Sequence, residues 1–332
     1  MSKTISIFLL LGLLLCFSAC EKSEFLNDGE YFFLKNNGAV LPVWIRGNLS
    51  SGIILVTVHG GPGGSGHTLL LSEGFRQLEK NYAVLYWDQR YSGLSQGNPD
   101  KSTLTIGQFI DDVSKIVQLA RSKYPSAKLF MLGHSWGGGL SAAYLGSDDN
   151  QSAFSGWIDV DGSVRDDIEE AEIRKWILER VPEHYSDDPP FWQFIIDWYN
   201  ENPLPVYSDE EPYLYVSALG GDEKNSANYP LARLVFSSPF SLAVYSNHVD
   251  QTMADGIDFT PQLNNIHIPS LIIWGKEDGI LPLPLSRYAY DQIATDSADK
   301  KIITVQGSAH SPQVDNPSEF ASSISAFIER YR

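Results

Sequence analysis

Apolar residues recur along this chain in two rhythms. Short unbroken apolar runs at Ile53–Val58, Tyr82–Trp87, Leu129–Leu132, Phe154–Val160 and Ser270–Trp274 predict strands covered on both faces. Lys301–Val305 predicts one more strand near the end. Between them, Ile106, Ile110, Val113, Ile116, Val117 and Ala120 keep a helical period, opened by Thr105 with Gln108 three residues on. A final helix takes Asn316 as its cap and Pro317 in its first turn, with Phe320, Ile324, Phe327 and Ile328 on one face. Tyr31–Leu34 and Val40–Ile45 flank Lys35-Asn36-Asn37-Gly38, which predicts a hairpin with an Asn-Gly turn. Strands alternating with helices predict an α/β fold, a mostly parallel sheet flanked by helices.

One stretch breaks the rhythm. Residues 163–262 hold 19 acidic against 6 basic residues and 15 of the 40 aromatics. They read as a helical, acidic cap inserted between two core strands, with helices at Glu169–Val181 and Pro190–Tyr199. The core is then expected in two parts, 30–162 and 263–332. The whole chain of 332 residues carries a formal net charge of −17, which argues against non-specific attraction to nucleic acid.

The first residues read as an address. Lys3 precedes an apolar run, Ile5 to Phe17, that meets Ser18-Ala19-Cys20. The run is shorter than the ~20 residues of a spanning helix. It resembles a bacterial lipoprotein signal, with residues 1–19 removed, Cys20 lipidated and 20–29 left as a tether. Phe17 stands where such signals usually carry Leu. An ordinary secretory signal cut nearby is the alternative. The lipoprotein resemblance implies membrane attachment through several acyl chains, and Glu21 in place of Asp implies an outer membrane. The only cysteines are Cys16 and Cys20, so no thiolate site is available downstream.

Leu129–Leu132 runs into Gly133-His134-Ser135-Trp136-Gly137, a G-x-S-x-G between a strand and a small-residue helix. That setting is a nucleophile elbow, which exposes the Ser135 hydroxyl. A second copy, Gly93-Leu94-Ser95-Gln96-Gly97, leads into Asn98-Pro99-Asp100, where no helix can start, so context selects Ser135. A serine nucleophile needs a base and an acid to orient it. Asp278 follows the strand Ser270–Trp274, and His310 follows the next strand, so both reach the same end of the sheet. Glu277 and Asp161 are alternative acids. His59-Gly60-Gly61-Pro62-Gly63-Gly64 would aim the Gly61 N–H at an oxyanion, with the Trp136 N–H as second donor. Gly61-x-Gly63-x-x-Gly66 also fits a dinucleotide loop, with Asp88 mimicking the ribose acid, but Pro62 interrupts it and Ser135, Asp278 and His310 go unexplained.

These motifs, with Asp88-Gln89-Arg90-x-x-Gly93-x-Ser95, resemble the proline iminopeptidases of the α/β-hydrolase superfamily. The resemblance covers about residues 30–162 and 263–332. It implies a serine hydrolase with the triad Ser135, Asp278 and His310, acting through an acyl-enzyme without metal or organic cofactor. Tyr91 replaces the glycine usual after Asp-Gln-Arg, and the cap lacks the Trp-Glu pair of that family. Its expected substrate is a short peptide or amino-acid amide, with a carboxylic ester as the alternative and a catalytically silent binding protein as a third reading. Glu169, Glu170 and Glu172 are the cap residues expected to hold a substrate ammonium.

Overall fold

A computed structural model describes residues 29–202, 216–217, 219–222, 224 and 257–332. The expected signal segment, Cys20 and most of the second half of the cap lie outside the described residues.

The chain opens with the hairpin β1 (Glu30–Asn36) and β2 (Ala39–Gly47). Asn37 and Gly38 turn it, with φ of 42° and 81°, a pair of left-handed residues that matches the twist of the two strands. Then come β3 (Ile53–Val58), β4 (Ala83–Trp87), the two-residue β5 (Gln96–Gly97), β6 (Lys128–His134), β7 (Phe154–Val160), β8 (Ser270–Gly275) and β9 (Lys300–Val305). The sheet order is β1-β2-β4-β3-β6-β7-β8-β9, with β5 paired to β2. Only the hairpin, the β2–β4 contact and β5 are antiparallel; β4 to β9 run parallel along the sheet. Every residue of β3 and β8 is buried, as their unbroken apolar runs require.

The helices are α1 (Gly66–Leu70), α2 (Glu73–Glu79), α3 (Ile106–Lys123), α4 (Trp136–Leu145), α5 (Asp166–His184), α6 (Pro189–Glu201), α7 (Thr260–Leu263), α8 (Pro284–Gln292), α9 (Pro312–Asp315) and α10 (Pro317–Tyr331). Alternate residues of each strand feed two cores. Val56 and Met131 pack with Phe109, Val113 and Leu140 on one face. Leu55 and Leu132 pack with Phe75, Phe320 and Ile324 on the other. Each such side chain contributes about 1.5–3 kcal/mol by leaving water. Thr105 caps α3 by accepting from the Gln108 N–H at 3.2 Å, and Asn316 caps α10 through the Glu319 N–H at 3.4 Å.

The cap helices have a separate apolar cluster of Trp176, Ile177, Val181, Trp192, Ile195, Tyr199, Val216 and Leu219. The chain leaves the core and returns to it at adjoining points. The Asp166 N–H donates to Ile257 O at 3.0 Å, and the Phe259 N–H to Val164 O at 2.9 Å. Helix α5 begins three residues earlier than the sequence predicts and runs to His184, past Pro182. Proline in a last turn removes a single N–H and leaves the earlier turns intact, so the expected stop at Val181 is overrun.

Candidate active site

Six loops leave the C-terminal ends of the parallel strands and meet above the sheet, where open α/β sheets bind ligands. Ser135 sits between β6 and α4 with φ 57° and ψ −130°, a left-handed conformation rarely adopted by a residue with a side chain. Its N–H donates to Val160 O at 3.0 Å, which fixes the elbow against the end of β7. Gly137 allows this turn, because a Cβ there would collide with Val58 O at the end of β3. Ser135 is half-buried, so its hydroxyl can be reached. Trp136 heads α4, where the first N–H groups have no partner within the helix and favour negative charge. The second G-x-S-x-G forms no elbow. Ser95 lies in a turn, its hydroxyl accepting from the Ser92 N–H at 3.0 Å.

His310 and Asp278 meet. His310 Nδ1 lies 2.8 Å from Asp278 Oδ2, with the histidine side chain 12% exposed and the aspartate buried. Asp278 Oδ1 accepts from the N–H groups of Ile280 and Leu281 at 2.8 and 2.9 Å. This places the acid on the β8 loop and excludes both alternatives as the partner of His310. Glu277 is turned outward to Lys224 Nζ at 2.7 Å. Asp161, after β7, accepts from the Gly275 N–H at 2.7 Å and lies against the Asp278 carboxyl.

The loop Gly60–Gly64 lies against the elbow; a Cβ on Gly60 would stand 2.9 Å from Ser135 Cβ. A buried network holds it there. His59 Nδ1 donates to Gly60 O at 2.7 Å, and His59 Nε2 accepts from the Gln89 N–H at 3.0 Å. Gln89 then donates through Nε2 to His59 O at 2.8 Å and accepts from the Trp136 indole at 3.1 Å. One side chain thus ties the Gly61 loop to the elbow. Asp88 accepts from the Ser65 hydroxyl and the N–H groups of Gly66 and Leu94 at 2.7–2.8 Å. It is wholly enclosed by these loops, so it is no ribose acid and the dinucleotide reading fails. Arg90 forks onto Asp112, with Nε–Oδ2 at 2.6 Å and Nη2–Oδ1 at 2.7 Å, both side chains buried. The sequence marked Asp88-Gln89-Arg90 as a motif; its work as scaffolding becomes visible only in space.

His134 Nε2 donates to His310 O at 2.8 Å. Burial, with the nearby His310, drives the His134 imidazole down to about 3, and burial also lowers His59. Both rings are therefore neutral, with their tautomers set by these hydrogen bonds.

The cap glutamates do not act as a group. Glu169 accepts from the Ser163 hydroxyl and the Val164 and Arg165 N–H groups at 2.9, 2.5 and 2.9 Å. Burial and the charge of Asp166 raise its carboxyl to about 7. It closes the N-terminal end of α5, which corrects its expected part in substrate binding: the backbone donors nearest in sequence claim the oxygen. Glu172 pairs with Lys175 at 3.8 Å, one turn along α5. Glu170 has an enclosed Oε2. The sequence also left unread the segment Val216–Lys224. The Gly279 N–H donates to Gly221 O at 2.9 Å and the His310 N–H to Asp222 O at 3.0 Å, so the cap touches the acid and histidine loops directly.

A family model described as serine aminopeptidase, S33, matches residues 52–317. The chain belongs to the serine aminopeptidase family S33. Members of this family are α/β-hydrolases, and this chain is a serine hydrolase with that fold. It is 24% identical over 291 residues to "Probable aminopeptidase YbaC" of Bacillus subtilis, covering 82% of this chain and 87% of the relative. It is 25% identical over 285 residues to a proline iminopeptidase of Saccharolobus solfataricus, covering 83% and 84%. The solved structure of an esterase from a Rhodococcus species superposes with a TM-score of 0.64 at 19% identity, covering 92% of this chain and all of that one.

Proposed function

We propose that this S33 member is an aminopeptidase acting on short peptides or amino-acid amides through an acyl-enzyme on Ser135. The observation that carries the chemistry is the buried Asp278–His310 hydrogen bond beside a left-handed serine elbow. His310 takes the Ser135 proton as the hydroxyl attacks the carbonyl, then gives it to the leaving amine. Asp278 orients the imidazole and stabilises its charged form. The Gly61 and Trp136 N–H groups hold the oxyanion, kept in register by Gln89. Water activated by His310 then releases the acyl group. No metal or organic cofactor enters this scheme. The names of the aminopeptidase and iminopeptidase relatives support the peptide reading. Of the three cap glutamates, Glu170 remains the candidate for the substrate ammonium.

The same geometry serves a carboxylic ester, and the capping role of Glu169 favours that second reading, since one carboxylate expected at an ammonium is spent elsewhere. The test compares kcat/KM for an amino-acid arylamide with a free amine against its N-acetylated twin. The aminopeptidase reading expects the free amine to be preferred at least tenfold, about 1.4 kcal/mol. Equal or faster turnover of the acetylated twin replaces it with the ester hydrolase.

The enzyme is further proposed to sit in a bacterial envelope, anchored through lipid on Cys20 by a tether of residues 20–29. Cys20→Ser should block lipid processing, and a chain starting at Glu21 should be released from membranes and remain active.

A further inference from the structure

Asp161 lies at the end of β7 with φ 45°, a left-handed aspartate packed behind the acid of the triad. Its backbone N–H donates to Ile273 O at 2.9 Å, and its Oδ1 accepts from the Gly275 N–H at 2.7 Å. Gly275 is also the point at which the Asp278 loop departs, the Asp278 N–H donating back to Gly275 O at 3.4 Å. The other oxygen, Asp161 Oδ2, is buried and meets no N–H or hydroxyl donor among the described residues. The Asp161 side chain lies within hydrogen-bond reach of the Asp278 carboxyl. Two carboxylates in contact in the interior cannot both be ionised.

The distribution of donors decides where the proton sits. Asp278 receives two backbone N–H groups and His310, all of which favour its charged form. Asp161 receives one side-chain hydrogen bond from a backbone N–H, that of Gly275 on Oδ1. We propose that Asp161 is a positioning residue for catalysis: as a neutral carboxylic acid it donates its Oδ2–H to the Asp278 carboxylate, so the pair presents a single negative charge to His310. Burial raises both carboxyls above the usual range; the contact between them raises Asp161 further and lowers Asp278, in keeping with that assignment. The other titratable groups facing the pair are Asp159 on β7, Asp315 after the histidine loop, and the His134 ring beside His310. The acid of this triad is therefore two residues from different strands sharing one proton.

The inference rests on the Ser135–His310–Asp278 reading but not on the substrate. Its test accordingly uses the rate of Ser135 labelling by a fluorophosphonate, followed against pH for the full chain and its variants. Asp161→Asn keeps a donor toward Asp278 and an acceptor for Gly275, and should label within about fivefold of the parent with the acid limb in place. Asp161→Ala removes the donor, and should slow labelling on the order of 10- to 100-fold. It should also move the acid limb to higher pH, because an unassisted Asp278 holds the imidazolium more tightly. Failure of Asp161→Asn as severe as that of Asp278→Asn would mean that Asp161 acts as a charge, overturning the proposal. Labelling of Asp161→Ala at the parental rate with an unmoved limb would overturn it equally. Undiminished labelling of Ser135→Ala would instead remove the triad, and the inference with it.

Discussion

The loops around Ser135 and the cap above them are held together by different forces. The loops are wired by buried polar groups: His59, Asp88, Gln89, Arg90 and, on α3, Asp112 are all sealed from water, and several of their hydrogen bonds join segments distant in sequence. The cap instead depends on a small apolar cluster around Trp176 and Trp192, with a few backbone bonds to the core. Buried polar networks lose much if one member is removed, whereas a small apolar cluster can open locally. The difference separates a rigid part around the proposed nucleophile from a part that can be altered without disturbing it.

The largest effect expected is at the elbow. Ser135→Ala should lower turnover by about 10^6-fold and abolish fluorophosphonate labelling, while Ser95→Ala should retain both. Labelling that persists in the first variant would move the nucleophile elsewhere. Next, Asp278→Asn should lower kcat by about 10^4-fold with the fold intact, since the imidazole loses its orienting acceptor. A loss under tenfold would take the acid away from the β8 loop.

The scaffold can be broken without touching the reacting groups. Asp112→Ala removes the buried carboxylate onto which Arg90 forks and should cost about 3–5 kcal/mol in urea unfolding. A cost below about 1 kcal/mol would show that the wired loops are not the rigid part. Trp192→Ala tests the other region. It should loosen α6, seen as faster hydrogen exchange confined to the cap, and change Ser135 labelling less than about threefold. Exchange that accelerates equally in β6 would mean cap and core open together.

The smallest effect concerns Asp159, buried in β7. Burial, with Glu169 nearby, raises its carboxyl from 3.8 to about 8. The unfolded chain ionises it near 3.8 while the folded chain holds the proton, so its stabilisation is complete in acid and is lost as pH rises through about 8. Asp159→Asn should flatten melting temperature between about pH 5 and about pH 9, and raise it at the alkaline end by at least about 2 °C. An unchanged slope would assign the pH dependence to other groups.

The strands and their loops were legible because each announces itself locally. Asn37-Gly38 requires a hairpin, the run Ile53–Val58 allows no exposed face, and Gly133-x-Ser135 between strand and helix allows one kind of turn. Asp278 and His310 could be placed because each follows a readable strand. What stayed hidden depends on distance in space. Asp161 and Asp278 are neighbours only because β7 lies beside β8, and nothing near Gln89 announces its bond to Trp136. Glu169 misled for a related reason: being near the site in sequence does not orient a side chain, and three local backbone and hydroxyl donors took its oxygen first.

The fixed tautomers of His59 and His134 also give the site a readable proton inventory. Three imidazoles lie near the nucleophile, yet each is distinguishable by where its proton resides. His59 carries a proton on Nδ1 toward a carbonyl, and His134 carries one on Nε2 toward another. Of these three, the proton between His310 and Asp278 is the one on an imidazole nitrogen that faces a carboxylate. Such a charge-assisted bond is shorter and stronger than a neutral one. In a proton NMR spectrum of the enzyme it should give the most downfield imidazole signal, one that disappears in Asp278→Asn while the other two stay in place. Spectroscopy could then follow the working histidine in the resting enzyme without any substrate being known.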